Sequence, residues 1–252
     1  MILYALAVVG AFLAGCINTL AGNGSAITLT ILMEVLGLPP DVANGTNRVG
    51  VLTQSLAGSW AFKREGKLRN AWNWPIIIWT STGAVLGFVV SSMVSPESFR
   101  TIFRYLLVLM LVVILVNPKR WLRAADPNRP PLSPWLSIPL FFALGFYGGF
   151  IQMGMGVFFL ATMVLVVRYD IIGGNVIKVL VVALYTAAAV IYYAYVGLID
   201  WRIGGLMAIG QTTGGFLTAT YASRYPQAGT LAYFLLILVV IGAILKAFWG
   251  GF

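Results

Sequence analysis

ILYALAVVGAFLAGCINTLAGNGSAITLTILMEVLGL, residues Ile2 to Leu38, is a long apolar stretch broken once, at Ala21-Gly22-Asn23-Gly24-Ser25. The first part, Ile2 to Gly22, has the ~20 residues that a helix needs to cross a bilayer. The second, Ala26 to Leu38, rises only about 17–20 Å at 1.5 Å per residue. A hydrocarbon core is ~30 Å thick. A spanning run, a glycine break and a half-length run therefore follow one another.

The same order recurs further along. Apolar runs cover Val42 to Phe62, Trp74 to Val94 and Phe99 to Val116, and resume at Trp135 to Gly149. Val157 to Val167 is again short and again follows a glycine-rich break, Gly154-Met155-Gly156. Gly173 to Val196, Ile203 to Ala222 and Ala228 to Trp249 complete the series. Each half thus has five segments, with the short one second. The expected fold is an all-α polytopic membrane protein: a first transmembrane repeat over 1–116, a basic, proline-rich linker over 117–134 and a second repeat over 135–252. Gly15-Cys16-Ile17-Asn18 aligns with Gly149-Phe150-Ile151-Gln152, Asn44 with Asn175, Asn47 with Lys178, and Thr80 to Gly83 with Gln211 to Gly214. Paired broken segments in matching positions point to a transporter's binding site. Duplication kept for folding, with glycines serving helix packing, is the competing reading.

Composition agrees. Of 252 residues, 60% are hydrophobic and 9% charged, where a soluble domain carries about 25% charged residues. Mean hydropathy is +0.92. The net charge of +9 sits in short loops, as cytoplasmic loops require, so nucleic acid is not an expected partner. Lys63 to Arg69 and the linker are both expected to be cytoplasmic, and inverted repeats are favoured because the broken first pair builds most easily as a hairpin. Arg168 and Arg224 favour one orientation of the second half, Arg202 and Lys246 the other. Trp72, Trp74, Trp121, Trp135 and Trp201 stand at run ends as interfacial anchors. The first run is read as mature structure, not a cleaved signal. Histidine is absent and Cys16 is the single cysteine, so no metal and no cofactor is expected.

Polar residues inside apolar runs carry the functional signal, because a charge at the centre of a membrane helix costs at least ~2.5–3.5 kcal/mol. Arg48 and Lys178 are such cations, and no acid stands at matching depth. A cation of this kind suits an anionic ligand; snorkelling, or an ion pair with Glu34 or Asp41, is the alternative. Asn18, Asn44, Asn47 and Asn175 supply neutral donors, as do Gln54, Gln152 and Gln211. Gly22, Asn23, Gly24 and Ser25 at the first break, with Gly154 and Gly156 at the second, allow close backbone approach. A short helix beginning there would aim unpaired N–H groups into the interior, with Ser25 as a cap.

Asn18-Thr19-Leu20-Ala21-Gly22-Asn23-Gly24-Ser25 is similar to the glycine-rich opening of the TauE/SafE sulfite exporter family. Gly37 to Val49, including Asn44-Gly45-Thr46-Asn47-Arg48, resembles its second signature, as does Gln54-Ser55-Leu56-Ala57-Gly58. The resemblance covers nearly the whole chain. It implies inverted repeats and secondary transport of small sulfur-containing or carboxylate anions, such as sulfite and organosulfonates, across a bacterial inner membrane. It carries Asn18, Gly22, Gly24, Ser25, Asn44, Asn47 and Arg48 as site residues. Asn23 and the sequence Gln152 to Gly156 depart from the family's longer glycine runs.

A transporter working by alternating access, with a small anion and membrane lipid as partners, is the leading expectation. An anion channel, a non-transporting assembly subunit and, lastly, a membrane-embedded enzyme stand as alternatives; a second copy of the chain is left open. Arg48→Ala is expected to abolish transport in a protein that still folds.

Overall fold

The computed structural model describes residues 2–66, 72–115, 132–169 and 171–221, with seven further residues between 234 and 245. Among the described residues every regular element is helical. Most of the linker, most of the tenth expected segment, and Trp121, Arg224 and Lys246 lie outside the described residues.

Nine helices are described: α1 (Ile2–Ala21), α2 (Gly24–Thr30), α3 (Pro40–Arg64), α4 (Trp74–Met93), α5 (Pro96–Leu115), α6 (Pro134–Phe150), α7 (Met155–Ala161), α8 (Ile171–Tyr195) and α9 (Trp201–Tyr221). Their starts are written in the sequence. Pro40, Pro96 and Pro134 open α3, α5 and α6, where the missing N–H costs nothing. Asn73 caps α4 by accepting from the Ile76 N–H. Both short helices run on into a five-residue π-helical turn, Ile31–Val35 after α2 and Thr162–Val166 after α7. Those turns close with matching bonds, Leu36 N–H to Ile31 O and Val167 N–H to Thr162 O, each 2.9 Å.

The exterior is apolar, and the interior holds polar groups among its apolar ones. Leu3, Leu6, Val9 and Leu13 of α1 and Tyr105, Val108, Leu109 and Val112 of α5 are exposed, whereas Asn44, Asn47, Arg48, Lys178 and Gln211 are buried. Water-soluble folds do not expose apolar faces of this extent; a lipid solvent accommodates them. Trp74–Met93 and Gly173–Tyr195 are each long and apolar enough to cross a bilayer, and shorter apolar helices accompany them. Trp72, Trp74, Trp135 and Trp201 are all exposed at helix starts.

Helix directions follow from the contacts. Gly210 and Gly214 lie against the backbone of Val8 and Phe12, so α1 and α9 run the same way. α3 runs with them: Asp200 N–H donates to Thr46 Oγ1 (2.9 Å) and Thr212 to Thr53 (2.8 Å). Gly83 and Gly87 lie against Phe142 and Phe146, so α4 and α6 share a direction. Asn73 meets Tyr169, and Ser92 meets Tyr192, so α8 follows α4. α3 and α8 cross in opposite senses, Asn44 meeting Tyr193 while Gly58 meets Val179. α2 folds back along α1, with Gly24 on Ala14 and Ile31 on Gly10.

Two bundles result. Ala7, Ala11, Leu29 and Met207 belong to the core around α1, α2 and α9. Ile77, Phe141, Phe159 and Leu180 belong to the core around α4, α6, α7 and α8. α4 and α9 therefore each pack chiefly in the bundle begun by the other half of the sequence.

Candidate functional site

The two breaks touch. α1 stops at Ala21 and Gly22 takes φ +78°. α6 stops at Phe150, Gln152 takes φ +61° and Gly154 φ +71°. A Cβ on Gly156 would lie 2.3 Å from Gly22 O, and one on Gly22 2.5 Å from Gly156 C. Only two glycines allow this approach. Beside the contact lies a narrow cleft. Its polar lining is Asn18 and Thr19 of α1, Gln54 and Ser55 of α3, Gln152, and Lys178 of α8.

Arg48 is fully buried behind this cleft. Its guanidinium donates to Gly148 O (2.8 Å), Gln152 Oε1 (2.5 Å), Asn44 Oδ1 (3.3 Å) and Gly149 O. The last turn of α6 carries a partial negative charge; Arg48 covers its Gly149 carbonyl and shares that of Gly148 with the Gln152 N–H. The expectation of a cation without a fixed partner is corrected here: neither Glu34 nor Asp41 pairs with it, but a helix end does. The reason is tertiary, since α6 terminates at the depth of Arg48.

Lys178 does the same for α1 with fewer bonds: its Nζ donates to Asn18 O (3.2 Å). The asparagines repeat the exchange. Asn44 Nδ2 donates to Phe150 O (2.9 Å), and Asn175 Nδ2 to Thr19 O (3.0 Å). Both cations and both asparagines thus reach from α3 or α8 to the break in the other half of the sequence.

The remaining expected residues divide. Asn18 accepts from the Gly24 N–H (3.3 Å) and donates to Gln54 Oε1 (3.2 Å), while Gln54 Nε2 donates to Gly15 O (3.1 Å). These join the cleft to the first break. Asn47 Oδ1 accepts from Thr28 (2.6 Å), and Gln211 lies against Gly50; neither lines the cleft. Asn23 is buried, and neither of its side-chain polar atoms has a partner among the described residues. Ser25 is not the cap: Asn23 occupies that position, without a side-chain bond to the helix, and Gly154 occupies it for α7. Thr19 and Ser55, which line the cleft, were not among the expected site residues, and neither were two tyrosines. Tyr185 donates to Gln152 Oε1 (2.9 Å), and Tyr193 accepts from Asn44 (3.0 Å). A tyrosine in an apolar run was the available signal, but Gly173 to Val196 holds four of them.

A profile of the family described as "Sulfite exporter TauE/SafE" matches residues 7–245. The chain belongs to this family. A TauE/SafE chain is a membrane transporter, and the similar curated proteins are named accordingly. A "probable membrane transporter protein ORF9" of Sinorhizobium sp. is 26% identical over 95% of this chain and 89% of its own. A probable membrane transporter protein of Haemophilus influenzae is 27% identical over 82% of this chain and 80% of its own. The Escherichia coli protein YfcA, named likewise, is 24% identical over 94% of this chain and 86% of its own. No solved structure matches the chain. The stretches that carried the TauE/SafE resemblance have distinct places: Asn18 to Ser25 forms the first break, and Asn44 to Arg48 holds the second.

Proposed function

We propose that this TauE/SafE protein is a secondary transporter of small sulfur-containing anions, sulfite and organosulfonates, across a bacterial inner membrane. One observation carries the reading. The polar lining of the cleft where the breaks meet consists of hydroxyl, amide and ammonium groups, with no carboxylate among the described residues. Sulfite and sulfonate oxygens accept several hydrogen bonds, so such a lining can replace the water that the anion sheds.

The electrostatics fit. Two helix C-termini end beside the cleft, and their exposed carbonyls would repel an anion. Arg48, Lys178, Asn44 and Asn175 cover those carbonyls. We read the halves as inverted repeats. The helix directions support this: α1 and α3 run one way and their counterparts α6 and α8 the other. Alternating access then moves the two bundles, not the two halves of the sequence, about the α3–α8 crossing. An anion that draws donors from both bundles favours the state in which they close on it.

Reconstituted protein in sealed vesicles gives the test. Carrier transport predicts sulfite flux that saturates and is competed by a sulfonate such as sulfoacetate. Flux that rises linearly with concentration and is indifferent to competitors would favour a channel.

A further inference from the structure

We propose that Lys178 and Gln152 are the residues that touch the transported anion, and that Arg48 is a positioning residue acting through Gln152. This rests on the anion reading of the cleft and assigns its parts.

The donors separate the two cations. Arg48 is wholly buried and does not line the cleft; its guanidinium bonds four oxygens. Lys178 lines the cleft and makes one hydrogen bond among the described residues, to Asn18 O. An ammonium has three hydrogens, so two remain to offer.

Gln152 supplies the second donor by elimination. Arg48 is a donor only, so the Gln152 atom facing it at 2.5 Å is the carbonyl oxygen. The Tyr185 hydroxyl donates to the same oxygen (2.9 Å). With Oε1 held on that side, the NH₂ group faces away from Arg48, and Gln152 lines the cleft. Among the described residues this nitrogen has no partner, although Gln152 is only 6% exposed. The backbone is committed to the arrangement too: φ of +61° is uncommon for a residue with a side chain. An amide pinned by its oxygen, with its nitrogen turned into a cleft beside a lysine, is a pair of donors awaiting an acceptor. Arg48 thus sets the polarity of the site without entering it.

Equilibrium binding of sulfite, sulfoacetate and acetate to detergent-purified protein tests this, with wild type beside Lys178→Gln, Gln152→Glu and Arg48→Lys. Lys178→Gln should bind sulfite at least tenfold more weakly. Gln152→Glu is the control for folding. Its carboxylate can pair with Arg48, so the variant should melt no lower than wild type yet lose sulfite binding, because a negative charge replaces the NH₂ donor. Arg48→Lys, which retains the charge, should keep measurable binding and weaken it less than Gln152→Glu. Undiminished binding in Lys178→Gln or in folded Gln152→Glu would overturn the assignment while leaving the anion reading intact. Failure of wild type to bind any of the three anions would overturn the anion reading, and this assignment with it.

Discussion

Asn44 and Asn175 make the same bond in opposite halves of the protein. Asn44 donates to Phe150 O at 2.9 Å and Asn175 to Thr19 O at 3.0 Å, each closing the end of the helix that precedes the other half's break. The two halves therefore hold each other's breaks in place.

Asn44→Ala and Asn175→Ala should both lower thermal stability, each by about 0.6–2 kcal/mol, the range of an interhelical hydrogen bond in a membrane. Asn44→Ala should cost more, because Asn44 also reaches Ser91 and Tyr193. Thermal denaturation in detergent checks both, and equal effects would count against the wider network around Asn44.

Arg48→Ala should destabilise the fold, in contrast to the sequence-based expectation of a folded, inactive protein. Removing Arg48 takes a donor from buried neutral acceptors, and each acceptor left unsatisfied costs roughly 1–3 kcal/mol; the Gly149 carbonyl loses its cover, while the Gly148 carbonyl keeps the Gln152 N–H. Arg48→Lys should fall between wild type and Arg48→Ala, since an ammonium carries the charge without the planar fork. Unfolding midpoints of the three proteins give the order.

Gly22→Ala and Gly156→Ala should each impair transport and destabilise by about 1–3 kcal/mol, the usual cost of forcing atoms into a packed site. Gly22→Ala should be the worse, because its φ of +78° adds strain to the overlap. Flux and melting measured on the same preparations would show it.

Gly87→Val tests the packing of the bundle. A Cβ there would lie 2.1 Å from Phe146 O, so a larger side chain must part α4 from α6. Melting should fall markedly. Gly205, with no atom within reach of an added Cβ, should accept alanine with little change.

Much of this was legible. The apolar runs gave the helices, and the prolines marked several of their starts. The paired short segments gave the breaks, because length against bilayer thickness is arithmetic. What could not be read was which partners distant helices bring. Nothing in the neighbourhood of Arg48 says that α6 ends beside it, so the residue looked unpaired. The exchange of α4 and α9 between bundles was equally hidden, since it depends on helix direction. The alignment of Gly83 with Gly214 is one helical turn away from the packing. Gly83 lies on Phe142 as Gly210 lies on Val8, and Gly87 on Phe146 as Gly214 lies on Phe12.

The central claim is that a small anion is held by Lys178 and Gln152 where the breaks meet, and sulfite flux into sealed vesicles carrying wild type or Gln152→Glu tests it most directly. The account predicts saturable, sulfoacetate-competed flux in wild type and none above the protein-free vesicles in the variant, with both proteins equally folded. Equal flux in the two would contradict it.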